Sequence, residues 1–270
     1  MAREVLTVIG VGGMGEAIAR RLGAGKTLLL ADYNAEALAS VTEALSADGH
    51  HVETGKVDVS SPESVRLLAE QAASLGGVTQ VAHTAGLSPS HGSAEAILAV
   101  DLLGVALVLD EFGEIIAPGG AGVVIASMSG SMVPPLPAEQ ERALAHTPAR
   151  ELLQLDFVKK LSNPGFAYAI AKHANQIRIR AASVEWGRRG ARINSISPGI
   201  ISTPMSEQEL ASPVGDSMRA MIAMSGTGRM GSPDDIAAAT AFLLGPDATF
   251  ITGTDLLVDG GVIAAVKTAG

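Results

Sequence analysis

Tyr168-Ala169-Ile170-Ala171-Lys172 sets a phenol and an ammonium at the i, i+4 spacing that places two side chains on one face of a helix. A free phenol titrates near ~10, so it is a poor proton donor or acceptor at neutral pH. A neighbouring cation favours the phenolate and draws that value down. Bringing it to about 7 takes about 4 kcal/mol of preferential phenolate stabilisation. The pair arises often by chance, so its weight depends on the rest of the chain.

A second constellation stands at the other end. Gly10-Val11-Gly12-Gly13-Met14-Gly15 carries G-x-G-x-x-G between a strand-like run and a helix-like one. There Gly10 allows a tight turn, Gly12 lets the backbone approach a pyrophosphate, and Gly15 lets the helix pack closely. The helix N-terminus then favours the anion. Asp32, at the end of the next strand, can accept hydrogen bonds from the adenosine ribose hydroxyls and repels a 2′-phosphate. Tyr33 and Asn34 follow it, with no basic residue close behind. NAD (NADH) is expected over NADP; a plain turn aspartate is the other reading.

These residues need elements to hold them. Val5–Ile9, Thr27–Ala31, Val52–Val57, Val78–His83, Gly122–Ala126, Ala191–Ser195 and Asp255–Val258 read as short strands. Helices are expected from Glu16 to Leu22, after Asn34, after Ser60-Ser61-Pro62-Glu63 with Ser60 as cap, from Ala94 to Ile116, from Ala167 to Arg188 and after Ser232. Strands alternating with helices predict an α/β doubly wound parallel sheet, the Rossmann fold, in one domain spanning 1–270. Residues 132–166 interrupt the alternation with several prolines and retained apolar residues, and read as an inserted substrate-side lid.

Composition narrows the classes. The chain has no cysteine among 270 residues, which removes disulfide, thiolate and Cys-metal chemistry; nothing in it calls for a metal. The net charge of −9 argues against nucleic acid as a partner. Apolar runs fall short of a transmembrane span, and Met1-Ala2-Arg3-Glu4 runs straight into a strand with no leader pattern, so a cytoplasmic protein is expected.

Tyr168 with Lys172, the glycine turn, Asn194 through Thr203, and Ile251-Thr252-Gly253 through Gly261 together resemble the short-chain dehydrogenase/reductase family of the classical kind, over nearly the whole chain. The resemblance implies oxidoreduction of a small-molecule alcohol or carbonyl, and a homotetramer. It makes Tyr168 the proton donor or acceptor, and Lys172 the ligand of the nicotinamide ribose that lowers the Tyr168 pKa. It assigns Ile201 and Thr203 to the carboxamide and Ala85 and Gly86 to the adenosine. Asp58, with Val59 beside it, goes to the adenine, the other reading of Asp58 being a helix-approach turn. A serine after the fifth strand would polarise the substrate oxygen; Ser127 is the first candidate, before Ser129 and Ser131.

The chain departs from the family in four places. The glycine turn is one residue short. His83-Thr84-Ala85-Gly86 replaces Asn-Asn-Ala-Gly, with His83 read as a packed sheet residue. Asp101 stands where the family has a relay asparagine, with a helix-bend role as the other reading. The stretch from Ser127 to Tyr168 is much longer than usual, similar in layout to bacterial 3α-hydroxysteroid dehydrogenase/carbonyl reductases. The insertion should wall the substrate pocket; an oligomer contact is the other reading. Against the enzyme stand two rivals: a non-catalytic NAD-binding regulatory protein, which has no use for the Tyr168–Lys172 pair, and a nucleotide-sugar epimerase, which needs a larger C-terminal region.

Overall fold

The computed structural model describes residues 3–90 and 92–268; Met1 and Ala2, read above for a leader, lie outside them. The first half runs β1 (Glu4–Ile9), α1 (Gly13–Leu22), β2 (Thr27–Asp32), α2 (Ala35–Ala47), β3 (His51–Lys56), α3 (Pro62–Leu75) and β4 (Gly77–His83). After α4 (Ala94–Ile97) come a π-helical segment (Leu98–Gly104), α5 (Val105–Ile115) and β5 (Ile116–Ile125). A 3₁₀ turn (Met128–Met132), α6 (Ala138–His146), a second 3₁₀ turn (Ala149–Gln154) and α7 (Asp156–Lys159) lead to α8 (Pro164–Arg188). The chain continues through β6 (Arg192–Pro198), α9 (Pro204–Leu210), α10 (Gly215–Met224), α11 (Pro233–Leu244), β7 (Asp255–Val258) and α12 (Val262–Thr268).

The strands form one sheet in the order β3-β2-β1-β4-β5-β6-β7, parallel at each pairing. A parallel sheet needs crossover helices, and these cover both faces. Side chains alternate accordingly. Ile9, Leu29, Val81 and Val124 pack with Val65 of α3, Phe112 of α5 and Ala171 of α8. Leu6, Val8, Leu28 and Leu30 pack with Ile18 of α1 and Leu38, Val41 and Leu45 of α2. Successive strands run outward from β1 to one edge, then restart at β4 and run to the other. The carboxyl ends of β1 and β4 thus form the switch point of the sheet, the usual ligand position in such folds.

Several boundaries correct the sequence reading. The helix expected from Ala94 to Ile116 is broken by the π segment, within which Asp101 is fully buried. Such wide turns often mark functional positions. Ile116 belongs to β5, where it pairs with Val78 ahead of an irregularity at Pro118-Gly119-Gly120. Those residues hide the early part of the strand from pattern reading. Helix α3 is capped by Ser61, whose Oγ accepts from the Ser64 N–H, not by Ser60, which turns back to Asp58.

The body of the 132–166 segment lies against the core. Leu144, Leu152 and Val158 are buried in the apolar cluster that α5 and α8 share. The Arg178 guanidinium of α8 donates to the Leu144 and Thr147 carbonyls, each at 2.9 Å. His173 spans the Gly130 carbonyl and the Glu141 carboxylate of α6, at 3.1 and 2.7 Å.

Candidate active site

The glycine turn is set by close approach. Gly10 has φ +94°, and a Cβ there would stand 2.4 Å from the Ala85 nitrogen. A Cβ on Gly15 would meet the Gly10 carbonyl oxygen at 1.9 Å, so α1 packs on the turn only with glycine. The Thr84 hydroxyl donates to the Gly10 carbonyl at 2.6 Å and ties β4 to the turn, where the family pattern has asparagine. Gly12 begins α1 with no side chain capping it, whereas Asn34, Ser61 and Ser232 cap α2, α3 and α11. No atom lies within 4 Å of a Cβ built on Gly12. Uncapped helix amides facing open space fit the phosphates of a dinucleotide. A Cβ on Gly13 would touch the Thr203 methyl at 3.4 Å, and Met14 packs beside α11.

Asp32 is fixed before any ligand arrives. One carboxylate oxygen accepts from the Val11 N–H and the other from the Asn34 N–H, both at 2.8 Å. Across from it, in register on β3, Lys56 places its ammonium 5.8 Å from the centre of the exposed Tyr33 ring. Sequence reasoning missed Lys56, because only strand pairing brings it beside Asp32. The Asp58 carboxylate takes both the N–H and the hydroxyl of Ser60, at 2.9 and 2.6 Å, so it forms the turn that approaches α3. The Val59 side chain is buried against Gly104. Thr203 caps α9 in a reciprocal pair with Ser206, whose hydroxyl also donates to the Ile201 carbonyl at 2.6 Å.

The chemical end gathers at the carboxyl end of β5. Ser127 follows that strand, and its Oγ accepts from the Ser129 N–H and hydroxyl, at 3.2 and 3.0 Å. Its hydroxyl favours the ionised form of the nearby Tyr168 phenol. Ser131 turns instead toward the Gln176 amide, at 3.4 Å. The Lys172 ammonium lies 5.4 Å from the Tyr168 ring centre and donates to the Ile125 carbonyl at 3.3 Å. It also meets the Asp101 carboxylate directly, at 2.9 Å. Asp101 accepts in addition from the Leu87 N–H at 3.1 Å. A Cβ on Gly86 would fall 2.6 Å from the Asp101 oxygen and 3.2 Å from the Lys172 nitrogen, so glycine there lets the ion pair close.

Burial works against the Lys172 charge, but the Asp101 carboxylate and Tyr168 outweigh it and hold its pKa above the usual lysine value. Tyr168 departs from the expectation of a lowered pKa. Burial pushes its phenol above the ordinary value; Lys172 pulls the other way, and Asp101 offsets part of that pull. His83 is fully buried on β4 beside this group, and among the described residues neither ring nitrogen has a hydrogen-bond partner. Burial first, then the Lys172 charge, pushes it down to about 3, so its ring is neutral.

A doubly wound parallel sheet with a glycine turn at its switch point is the architecture of dinucleotide-binding proteins. The family model described as enoyl-(acyl carrier protein) reductase matches residues 10–145 and 151–263. A short-chain dehydrogenase/reductase of Alternaria brassicicola, bsc3, is 41% identical over 266 residues, 98% of this chain and 97% of the relative. The 3-alpha-hydroxysteroid dehydrogenase/carbonyl reductase of Comamonas testosteroni is 29% identical over 188 residues, 68% of this chain and 72% of its own. A solved short-chain dehydrogenase/reductase from Serratia marcescens superposes with TM-score 0.76 at 22% identity, covering 96% and 97% of the two chains, a likeness of fold. The chain belongs to the short-chain dehydrogenase/reductase family of oxidoreductases.

Proposed function

We propose that this protein interconverts a secondary alcohol and a ketone or related carbonyl with NAD(H). The observation that carries the reading is the Ser127–Tyr168–Lys172 cluster at the carboxyl end of β5, beside the uncapped glycine turn. When bound, the nicotinamide gives or takes the hydride. The chain's own part is binding, orientation and proton transfer. Uncapped α1 amides, Gly12 and Gly13 hold the pyrophosphate, and Asp32 holds the ribose hydroxyls and favours NAD over NADP. Ala85, Gly86, Asp58 and Val59 line the adenosine side; Ile201 and Thr203 border the carboxamide.

Ser127 and Tyr168 hydrogen-bond the substrate oxygen from two directions and fix it against the nicotinamide face. The Tyr168 hydroxyl donates its proton to that oxygen in reduction and takes it back in oxidation. Lys172 holds the ribose, and Asp101, in direct contact with it, stands beside the path by which Tyr168 exchanges its proton with solvent. Met132 and Phe166, exposed where the 132–166 segment enters and leaves the site, wall the substrate side as the two ends of a lid.

Tyr168→Phe tests the reading. The expected loss in kcat is about 10²- to 10⁴-fold, with NADH affinity, read by fluorescence titration, unchanged. Turnover near the parent level sinks the proton role of Tyr168.

A further inference from the structure

We propose that Asp101 is a positioning residue that offsets the charge of Lys172, so that the site is set for carbonyl reduction at neutral pH and for alcohol oxidation only in alkaline solution. The proposal rests on the reading of Tyr168 as the acid–base.

The geometry carries it. Lys172 is buried, at 4% exposure, and Asp101 is 0% exposed. Their charged atoms are in direct contact at 2.9 Å. Ile125 contributes its carbonyl to the same ammonium, and Gly86 leaves no side chain to part the pair. A buried ion pair in low dielectric acts on its surroundings as a dipole, not as a free cation. The groups that bear on Tyr168 can be named element by element. Lys172 faces it from its own helix α8, Asp101 from the π segment, Ser127 from the end of β5 and Glu209 from α9. Ser127 is neutral. Of the three charged groups, two are carboxylates, and both oppose the pull of Lys172 on the phenol. His83, on β4, is neutral and adds no charge.

The consequence follows from which form of Tyr168 each direction needs. In reduction the hydride from nicotinamide C4 bonds to the carbonyl carbon as the carbonyl π bond breaks. The Tyr168 O–H proton passes to the oxygen, leaving alcohol, oxidised nicotinamide and a phenolate that regains its proton from solvent. Reduction therefore starts from the neutral phenol, the form this site favours. Oxidation starts from the phenolate, which this site disfavours until the solution is alkaline.

Two measurements test the proposal. Tyr33 and Tyr168 are the two tyrosines of the chain. In a Tyr33→Phe background the near-ultraviolet phenolate absorbance reports Tyr168 alone, without substrate or turnover. Titration at or above the range of a free phenol is expected; titration near neutrality overturns the proposal, and this arm needs no change at Asp101. Adding Asp101→Asn should move that titration down by about one to two pH units, the size of one nearby charge in protein surroundings. With saturating NAD or NADH, the acid limb of alcohol oxidation and the alkaline limb of ketone reduction should move down together by the same amount. Limbs that stay in place while the plateau falls mean a structural role only, and overturn the proposal. If Tyr168→Phe keeps its turnover, the acid–base reading itself has failed; if it is inactive and the limbs do not move, the inference about Asp101 fails alone.

Discussion

Asp32, the proposed holder of the ribose hydroxyls, is fixed in place by its neighbours. Its two oxygens are held by N–H groups from the glycine turn and from the turn into α2, which removes its rotational freedom in advance. Each oxygen keeps a lone pair for a ribose hydroxyl. Tyr33 and Lys56 stand next to it, exposed, so a 2′-phosphate has a cation within reach once the carboxylate is gone. Asp32→Ala combined with Tyr33→Arg is expected to raise the NADP-to-NAD ratio of kcat/KM by about tenfold or more, a difference of about 1.4 kcal/mol. Initial rates with the two cofactors decide it, and an unchanged ratio removes Asp32 from selectivity. The type and place of Asp32 were legible in the sequence. Its fixed orientation and the neighbouring Lys56 were not, since both depend on which strands pair.

At the scale of elements, the 132–166 segment is two things at once. Its body is core, because Leu144, Leu152 and Val158 are buried and Arg178 ties down the end of α6. Deleting it would strip apolar surface from α5 and α8 and damage folding along with any binding role. Its ends are different, since Met132 and Phe166 are exposed and flank Ser127 and Tyr168 along the chain. Replacing both by alanine should raise the substrate KM about five- to tenfold, through loss of about 1 kcal/mol of apolar contact. NAD affinity measured by calorimetry should hold. A fall in both affinities would point to a scaffolding role instead. The sequence marked this segment off through its prolines and its length. The π segment that delivers Asp101 gave no such signal, because a π turn differs from an α turn only in its hydrogen bonds.

For the whole molecule, the buried His83 links the site to stability. Its folded pKa of about 3 lies below the ordinary value near ~6.5, so the unfolded chain binds a proton that the folded chain refuses. The stability associated with neutral His83 is thus present above about pH 6.5 and lost progressively as the solution falls toward pH 3. Over that window the loss is on the order of a few kcal/mol, enough to matter against the 5–15 kcal/mol, roughly, that such folds possess. His83→Leu removes the titrating group and should flatten the fall of Tm with acidification, read by calorimetry across that range. An unchanged slope means that other groups govern the acid limit. Strand composition predicted that this position would be inside; its neutrality at physiological pH comes from the sheet around it.

What the sequence determined alone was local in origin. The β-branched runs, the serine and asparagine caps and the glycine spacing each act over a few residues, and they specify strands, helix starts and the tight turn after β1. The tertiary structure decided the electrostatics. Asp101 and Lys172 lie far apart in the chain yet share one buried contact, Lys172 stands by the Tyr168 ring, Ser131 turns to Gln176, and Lys56 stands beside Tyr33. Charge interaction depends on distance and on the exclusion of water, and neither exists until the sheet and its helices have closed.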